Sequence, residues 1–459
     1  MTAPRLDRDA PGRPTAPPVR IVHLGVGNFH RAHQAWYTAH AADADGWGIA
    51  GFTGRRPDAA EALGPQDGLY TLIVRGPDGD AFELVGSLAA VHPAADHAAL
   101  LDYLRRPEVA VVTLTVTEAG YLRGADGRLD LERAEVQADL ETLRTDAGAA
   151  VTTVPGRLVA GLAARRAAGA GPLTVLSCDN LPENGAATAA VVGDLARALD
   201  PGLADWIAAE IDFATSMVDR ITPATTAEDV DLVARSQGWT DAAPVPTEPF
   251  AEWVVAGRFP AGRPDWAGAG VALVDDVTPY EQRKLWLLNG SHSLLAYAAS
   301  QRGHRTIDAA IADPVARGWV ETYWDEAVGH LSLPGDQVSA YRAALLDRFG
   351  NPRVRHQLAQ IAADGSLKLA VRIVPVTRAE RAAGRLPTGC STALAGWVRH
   401  LQGHGVPVTD PNADRAQEAA SAADPRAAVH GVLATLADDL AADEAFVDLV
   451  VARLDALTA

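Results

Sequence analysis

Short runs of apolar, largely β-branched residues alternate with stretches of helical periodicity in the first part of the chain. The runs predict strands at 19–24, 47–53, 70–74, 82–91, 109–117, 173–177 and 211–218. The stretches between them predict helices, among others at 29–42, 98–106, 132–144 and 156–168. Because parallel strands are usually joined through helices, this alternation predicts an α/β domain with a mostly parallel sheet covered on both faces.

From about residue 278 the pattern changes, because helical periodicity continues and no comparable series of strand runs follows. This periodicity predicts helices at 280–300, 307–316, 338–349, 353–363, 391–402, 413–423, 426–442 and 443–457. We therefore expect an N-terminal α/β domain over 19–277 and a mainly α-helical C-terminal domain over 278–459. Residues 1–18 contain no apolar segment and are rich in Pro, Arg and Asp, which predicts a disordered tail and no secretory signal.

Composition narrows the class of protein. The chain has 459 residues, 48% of them hydrophobic and 21% charged, which is typical of a soluble globular protein with two or three domains. A net charge of −18 repels phosphate backbones and argues against nucleic acid as a partner. The sequence has no apolar run of about 18 residues that would predict a membrane span. Cys178 and Cys390 are too few for a disulfide framework or a thiolate zinc site, and they favour a reducing, cytoplasmic setting.

A glycine turn follows the first predicted strand, where the sequence reads GVGNFH. Gly25 allows a tight turn, and Gly27 allows a pyrophosphate to approach the backbone. A helix that begins at Asn28 and Phe29 would direct free amide groups and its positive dipole end at that phosphate. His30 replaces the third glycine of the usual dinucleotide fingerprint. Because the turn follows the first strand of an alternating pattern, we favour a Rossmann-like site for a nicotinamide dinucleotide over a plain turn.

The second predicted strand lacks the acidic residue that usually binds the adenosine ribose about 20 residues after the glycines. It ends just before Arg55 and Arg56, and no carboxylate follows until Asp58. Arg55 or Arg56 could receive the 2′-phosphate of NADP, and a solvated surface role for both is an equal alternative. NAD is the expected cofactor, and NADP stays open.

Lysine is rare in this chain, because only Lys284 and Lys368 occur among its 40 basic residues. Arginine stays protonated in proteins, whereas a buried lysine amine can lose its proton near neutral pH. Where the chain needs only a positive charge it uses Arg, so either Lys could be kept for its chemistry. Chance survival at two surface positions is the alternative.

Lys284 lies in a heavily apolar segment that reads EQRKLWLLNGSHSLL over residues 281–295. At about 100° per residue, Lys284, Asn289 and His292 span an arc of roughly 140° on one helix. A buried amine, amide and imidazole destabilise a fold unless each has a partner, and a hydroxylated substrate would be one. Two other interpretations remain, because Asn289 and Gly290 could form a hairpin turn and His292 could be an ordinary core histidine.

The same segment resembles the signature of the long-chain mannitol dehydrogenase family. Other motifs that resemble this family follow in order along most of the chain: IVHLGVGNFHRAHQ (21–34), TVTE (115–118), SCDN (177–180), MVDR (217–220), EPF (248–250) and DGSLK (364–368). The pattern over residues 281–295, which we call the lysine helix, is highly specific to this family, whereas the glycine turn alone is not. The resemblance implies a zinc-independent, NAD(P)-dependent polyol dehydrogenase with a Rossmann-like domain, a helical substrate-binding domain and a cleft between them. The family includes monomers, so we expect a monomer or a weak oligomer.

The resemblance also implies catalytic roles for the residues that match the family motifs. Lys284 is implied as the general base that takes the alcohol proton while hydride moves to the nicotinamide, which requires a neutral amine. Asn289 and Asn180 are implied as hydrogen-bond donors to the developing alkoxide. His292 is implied as the group that orients the reacting oxygen or a neighbouring hydroxyl.

Further roles concern substrate binding and proton release. Asp219 and Lys368 are implied to bind substrate hydroxyls. Glu281 lies one helical turn before Lys284 and is implied to relay its proton to water. A solvated surface role for Glu281 is an equal alternative.

One substrate-binding position departs from the mannitol enzymes, which carry an Arg before the DGS motif where this chain has Gln360. By resemblance, fructuronate reductases commonly carry Gln there. D-mannitol and D-fructose are the expected substrate pair, D-mannonate and D-fructuronate the alternative, and mannitol 1-phosphate a third. A sugar acid needs a cation for its carboxylate, best a bidentate Arg, and Arg372 and Arg378 lie nearby in sequence.

Two other classes of protein fit parts of the pattern. His23, His30 and His33 lie close together in sequence and could suggest a zinc alcohol dehydrogenase. Because no further ligand is evident and Cys is almost absent, we expect no metal. A non-catalytic dinucleotide-binding sensor would share the scaffold, but it would have no need of the polar set on the lysine helix.

Overall fold

The structure is a computed structural model that describes residues 3–410 and 412–457. The chain divides into two compact units, Met1–Val277 and Thr278–Ala459. In the described residues the first unit combines sheets with helices, whereas the second forms helices and no strand. The predicted fold class, an α/β N-terminal domain with a mostly parallel sheet followed by a mainly α-helical domain, is therefore confirmed.

The strands of the N-terminal unit belong to two sheets. They are β1 (Val19–Leu24), β2 (Gly48–Phe52), β3 (Tyr70–Gly76), β4 (Gly79–Val85), β5 (Leu88–His92), β6 (Val111–Leu114), β7 (Leu173–Ser177), β8 (Ile211–Asp219), β9 (Val245–Thr247), β10 (Glu252–Ala256) and β11 (Ala272–Leu273). The main sheet has the order β11-β10-β8-β7-β6-β1-β2-β5 and is parallel except between β8 and β10. Strands β6 and β7 are buried along their whole length, as expected for the centre of a parallel sheet.

The second sheet corrects one predicted strand. The apolar run 82–91 was expected to form a single strand, but it contains parts of β4 and β5. Strand β4 pairs with β3 in the small sheet β4-β3-β9, whereas β5 joins the edge of the main sheet. The break falls at Gly86, where an added Cβ would lie 2.7 Å from the Pro14 side chain, so only glycine fits this crossing.

Helices connect the parallel strands in the N-terminal unit. They are α1 (Asn28–Ala32), α2 (Gln34–Ala39), α3 (Asp58–Leu63), α4 (His97–Leu104), α5 (Ala134–Thr145), α6 (Val154–Ala168), α7 (Asn184–Leu199), α8 (Pro201–Glu210) and α9 (Ala227–Gln237). Local signals fix their ends. Helix α6 is preceded by Thr153, whose hydroxyl accepts from the Gly156 amide at 2.9 Å, and is followed by Gly169 in the left-handed region. The single helix expected over 29–42 is divided at His33, whose ring lies against Trp253.

The N-terminal segment is packed on the domain, so the expectation of a disordered tail over 1–18 is wrong for its described part. Leu6 is fully buried, and its amide donates to the Thr240 carbonyl at 2.9 Å. The Arg8 guanidinium donates to the carbonyls of Asp67, Gly86 and Leu88. Composition does not reveal this arrangement, because one apolar residue, one arginine side chain and backbone hydrogen bonds hold the segment.

Replacing Leu6 with alanine is therefore expected to destabilise the protein by roughly 2–4 kcal/mol, because the side chain is fully buried and its removal leaves a cavity. Urea unfolding followed by tryptophan fluorescence would measure the change. Alanine at the exposed Asp9 is the matched control and should be close to neutral. Equal midpoints for the two variants would mean that the segment does not contribute to stability.

The C-terminal unit consists of helices that pack around one long continuous helix. Its helices are α10 (Thr278–Arg283), α11 (Ser291–Ala298), α12 (Ile307–Ala312), α13 (Pro314–Val328), α14 (Gly335–Phe349), α15 (Leu358–Ala362), α16 (Gly365–Arg372), α17 (Val374–Ala382), α18 (Thr388–Leu401), α19 (Asp414–Ala420), α20 (Pro425–Leu436), α21 (Asp438–Ala441) and α22 (Glu444–Ala456). Helices α10 and α11 are joined without a break by a π-helical turn, Lys284–Gly290. Helix α11 is buried along its whole length. No helix among the described residues is both long and apolar enough to cross a membrane.

Candidate active site

The glycine turn lies at the carboxyl end of β1, and Gly25 is required there by the fold itself. Its φ is +105°, a conformation that residues with a Cβ rarely adopt. An added Cβ would also collide with the carbonyl of Thr115, which follows the neighbouring strand β6. The Thr115 hydroxyl donates to the Gly25 carbonyl at 2.9 Å and holds the turn against that strand.

Gly27 is different, because nothing in the surrounding protein excludes a side chain. Its backbone is extended, with a φ of −141°, and an added Cβ would meet only the Gly25 carbonyl oxygen at 3.7 Å. A glycine that the fold does not need, at the start of a helix after the first strand, fits the close approach of a pyrophosphate. The residues present therefore fit a dinucleotide.

The side chains after the turn hold the turn in place. The Asn28 amide donates to the Thr225 hydroxyl at 2.9 Å, and its oxygen accepts from Arg31 at 2.7 Å. The side chain of Asn28 thus has protein partners, which leaves its backbone amide as the group that could face a phosphate. Phe29 stacks on His33 with the ring centroids 5.0 Å apart.

His30 occupies the position of the missing third glycine and is fully buried. Its ring stacks on His23 of β1, with the centroids 3.4 Å apart and the planes within 9°. Burial lowers the pKa of His23 to about 3 and that of His30 well below its ordinary value, so both rings are neutral. Two flat neutral rings thus replace the close contact between helix and strand that glycine usually allows.

The three histidines that could suggest a zinc site contact other groups of the N-terminal unit. His23 contacts the hydroxyls of Thr113 and Thr115 at 2.8 and 3.0 Å through its two ring nitrogens. His33 contacts the Glu252 carbonyl at 3.0 Å through Nε2. Over the described parts of the chain, no three His, Cys, Asp or Glu side chains gather in a way that could hold a metal ion.

Strands β1, β6, β7 and β8 are mutually parallel, so the motifs that follow them meet at one edge of the sheet. Asp179 links two of these motifs: its carboxylate accepts from the amides of Val116 and Thr117 at 3.1 and 2.8 Å. It also accepts from the Tyr121 hydroxyl at 2.8 Å. Asp179 therefore holds the loop after β6, in which Thr117 has a φ of +66°, and burial raises the pKa of Asp179. Sequence reasoning singled out its neighbour and missed this structural role.

The other predicted residues of the N-terminal unit differ in exposure. Asn180 follows Asp179 at the same edge and is exposed, whereas Asp219, the last residue of β8, is buried. Arg55 and Arg56 are exposed beyond the end of β2, and Arg56 forms a surface ion pair with Asp58 at 3.4 Å.

In the C-terminal unit, Asn289 and Gly290 belong to the π-helical turn within the lysine helix, so the hairpin interpretation of these two residues is wrong. Hydrogen bonds of a π-helix join each residue to the fifth residue along, so residues five apart lie nearly above one another. Lys284 and Asn289 therefore share one face more closely than the arc of an α-helix predicts. Lys284 and His292 are buried, and Asn289 is half-buried.

Side chains from two other helices support the turn. Trp324 of α13 donates its indole N–H to the Leu287 carbonyl at 3.0 Å and to the Ser291 hydroxyl at 2.7 Å. Arg372 of α16 donates through Nη1 to the Asn289 carbonyl at 3.3 Å and to the Ser293 hydroxyl at 3.2 Å. These bonds connect the turn to two neighbouring helices, and π-helical turns of this kind are rare and frequent at functional sites.

The DGS motif anchors α16, the helix that carries Lys368 and Arg372. An added Cβ at Gly365 would lie 2.6 Å from the Tyr297 hydroxyl and the Trp397 indole nitrogen, so the helix begins where only glycine fits. Asp410 fixes the next residue, because it accepts from the Ser366 amide at 2.7 Å and from its hydroxyl at 2.9 Å.

Lys368, His356 and His292 form a connected group beside the lysine helix. The rings of His292 and His356 meet edge to face with the centroids 5.1 Å apart. Burial and then the charge of Lys368 lower the pKa of His356, while burial and then the charge of Arg372 lower the pKa of Lys368. The Lys368 ammonium donates to the Ile361 carbonyl at 3.3 Å. His356 was not among the predicted site residues, and Arg372 was considered only as one of two arginines for a sugar acid, because the packing of the helices decides which residues meet there.

Gln360 and Glu281 occupy less enclosed positions. Gln360 is exposed on α15, and its side chain forms no hydrogen bond with another residue that the structure describes. Glu281 is half-buried on α10, one turn before Lys284. Of the two arginines considered for a sugar acid, Arg378 is exposed and bound to Asp439 at 2.7 and 2.8 Å, which leaves Arg372.

Fold and turn together define a protein with a dinucleotide-binding Rossmann domain and a separate helical domain. The model of the mannitol dehydrogenase Rossmann domain matches residues 19–268, and that of the mannitol dehydrogenase C-terminal domain matches residues 276–458. The chain belongs to the mannitol dehydrogenase family. The prediction of this family, and with it of an NAD(P)-dependent oxidoreductase acting on CH–OH groups, is therefore confirmed.

Individual relatives cover nearly the whole chain. The D-mannonate oxidoreductase of Escherichia coli (strain K12) is 38% identical over 95% of this chain and 93% of its own length. The mannitol 2-dehydrogenase of Cereibacter sphaeroides is 37% identical over 100% of this chain and 96% of its own. The solved structure of Pseudomonas fluorescens mannitol 2-dehydrogenase, a ternary complex with NAD and D-mannitol, is 33% identical, with a TM-score of 0.81 over 100% of this chain and 94% of that one.

Proposed function

We propose that this protein is a zinc-independent, NAD-dependent dehydrogenase that oxidises one secondary alcohol of an open-chain polyol or polyhydroxy acid and reduces the matching ketone. The observation that supports this most directly is the π-helical turn, which begins at a buried lysine and contains Asn289. A sensor that only bound the dinucleotide would have no use for an amine at that position.

Each residue of the lysine helix has a distinct task in this proposal. The neutral amine of Lys284 takes the proton of the alcohol, and Asn289 donates a hydrogen bond to the oxygen as negative charge develops on it. His292 orients that oxygen or a neighbouring hydroxyl. Glu281 passes the proton from Lys284 to water. When bound, the nicotinamide supplies the acceptor for the hydride that leaves the same carbon.

Other residues complete the proposal. Asn180 is a second donor to the developing alkoxide, and Asp219 and Lys368 bind substrate hydroxyls. Gln360 is retained as a substrate-binding position, although its exposure makes it the weakest member of the set. We further propose a monomer or weak oligomer in a cytoplasmic, reducing setting, which the two buried free thiols support.

NAD is the proposed coenzyme, with Gly25, Gly27 and the backbone of Asn28 and Phe29 at its pyrophosphate. The support is the open space at Gly27 and the NAD complex of the related mannitol 2-dehydrogenase. Arg55 is exposed beyond β2 and would favour NADP only if it contacted a 2′-phosphate.

The test is a spectrophotometric reduction assay of the full chain with D-fructose and D-fructuronate, each with NADH and with NADPH. Oxidation of the coenzyme that depends on one of these ketones and persists in a chelator supports the proposal. Binding of the coenzyme without turnover of any polyol, ketose or keto acid would contradict it and favour the sensor.

Alanine at Gly27 is expected to raise the Kd for NADH about tenfold or more and leave the melting temperature unchanged, because its Cβ meets no protein atom closer than 3.7 Å. Alanine at Gly25 should instead lower the melting temperature, since its Cβ collides with the Thr115 carbonyl. Fluorescence titration and thermal unfolding separate the two effects. An unchanged Kd for the Gly27 variant would remove the turn from the cofactor site.

A further inference from the structure

Arg372 lies beside the lysine helix, and only one of its three guanidinium nitrogens donates hydrogen bonds to the protein. Nη1 makes both of its hydrogen bonds, to the Asn289 carbonyl and the Ser293 hydroxyl. Within the part of the chain that the structure describes, Nε and Nη2 donate to no residue. These two nitrogens form one edge of the planar guanidinium, and a carboxylate can bind that edge through both of its oxygens.

The guanidinium also lacks an acidic partner. No described carboxylate lies within ion-pair distance of Arg372, and the titratable groups that most affect it are the phenols of Tyr297 and Tyr323. Burial lowers the pKa of Arg372 to about 10, so it remains charged at neutral pH. Arg372 is half-buried, and a partly desolvated charge without a counter-ion is unfavourable, which makes an anionic ligand the natural partner.

Neighbouring arginines show what this chain does where an arginine has a structural role. Arg378 and Arg381, on the next helix, each form a two-bond ion pair, with Asp439 and Asp443 respectively. Lys368, one turn before Arg372, has Asp364 and Asp410 nearby. Arg372 alone in this group is left without an acid, and it is the one that touches the backbone of Asn289.

We propose that Arg372 binds the carboxylate of the substrate and thereby selects a sugar acid over a neutral sugar alcohol. The inference rests on the proposed function, because it requires the reacting hydroxyl to lie at Lys284 and Asn289. The unused guanidinium edge then receives the far end of the same open-chain molecule. A single planar fork suits a carboxylate, whereas a phosphate dianion would call for further free cations, and Lys368 already has two acids nearby.

A purely structural role for Arg372, as support of the π-helical turn, predicts a different result. In that case its loss would disturb Asn289 and reduce turnover of every substrate alike. Trp324 supports the same turn through the Leu287 carbonyl and does not offer a charge. Trp324→Phe is therefore the matched control that removes support of the turn without removing a charge. Arg378→Met, at an exposed position, is the control that removes a positive charge without affecting the turn.

The experiment measures kcat and KM of the full chain for D-fructuronate, D-fructose and D-fructose 6-phosphate with the preferred coenzyme. We expect the wild type to prefer D-fructuronate. Arg372→Met should lower kcat/KM for D-fructuronate about 10²-fold, mainly through KM, and change the value for D-fructose only a few-fold. Arg372→Lys, which keeps the charge but not the fork, should fall between these values. Trp324→Phe should lower kcat for both ketones by the same factor, and Arg378→Met should change neither.

Three results would overturn the inference while the proposed function stood: wild-type preference for D-fructose, preference for D-fructose 6-phosphate, or an equal loss for D-fructuronate and D-fructose in Arg372→Met. If Arg372→Met does not fold, the ratio of the two ketones in Arg372→Lys decides, because a structural role leaves that ratio unchanged. Failure of the proposed function has a separate signature, since no ketone would then be turned over by the wild type.

Discussion

Alanine at Lys284 is expected to reduce kcat for alcohol oxidation about 10²–10⁴-fold, the range typical of a lost general base. Lys284 is the first residue of the π-helical turn and is buried. The other lysine of the chain, Lys368, lies on a different helix, so it cannot take the place of Lys284. Coenzyme binding should persist, because the dinucleotide turn belongs to the N-terminal unit. Stopped-flow or steady-state absorbance of NADH measures the loss, and fluorescence titration measures the binding.

Arginine at the same position is the informative control. It keeps the positive charge but cannot release its proton near neutral pH, so Lys284→Arg should be as inactive as Lys284→Ala. In the wild type, kcat for alcohol oxidation should increase with pH, because the general base acts in its neutral form. The residual kcat of Lys284→Ala should not show this increase. Near-wild-type turnover of Lys284→Ala at every pH would show that the lysine is not the base.

Sequence reasoning succeeded where the signal is local. The strand 173–177 and the change to helices alone after residue 278 depend on residues that are adjacent in the chain. It failed where distant residues decide. Leu6 is held by Thr240, and the run 82–91 is divided at Gly86, which packs against Pro14. Neither contact leaves a mark in the local pattern of apolar residues.

The candidate site shows the same limit. A helical arc of 100° per residue brought Lys284, Asn289 and His292 together, but the hydrogen bonds that the π-helical turn receives from Trp324 and Arg372 come from other helices. The arginine could be found in the sequence only as one of two near the DGS motif. Its distinction from Arg378 is the absence of an acidic partner, which requires the packed structure.

Alanine at Gly290 is expected to disturb the π-helical turn and, with it, both stability and turnover. The backbone of Gly290 has ordinary helical angles, so the substitution would be harmless on an exposed helix. Here the added Cβ would collide with the hydroxyl of Tyr323, which is fully buried and donates to the Arg372 carbonyl at 3.0 Å. Overpacking of this kind destabilises by roughly 1–3 kcal/mol. Displacement of the turn by about 1 Å can lower kcat about 10²-fold.

Two further variants separate this effect from a general helix defect. Gly318→Ala places the same methyl group on α13, where no atom lies within 4 Å, and should be neutral or slightly stabilising. Leucine at Tyr323 removes the hydroxyl and also the ring carbons Cζ and Cε1, which the added Cβ would meet at 2.7 and 2.8 Å. Gly290→Ala combined with Tyr323→Leu should therefore recover part of the lost stability and kcat, measured as a double-mutant cycle. Because Gly290 closes the turn that begins at Lys284, wild-type kcat and melting temperature in Gly290→Ala would mean that the turn tolerates displacement and does not align the lysine with Asn289.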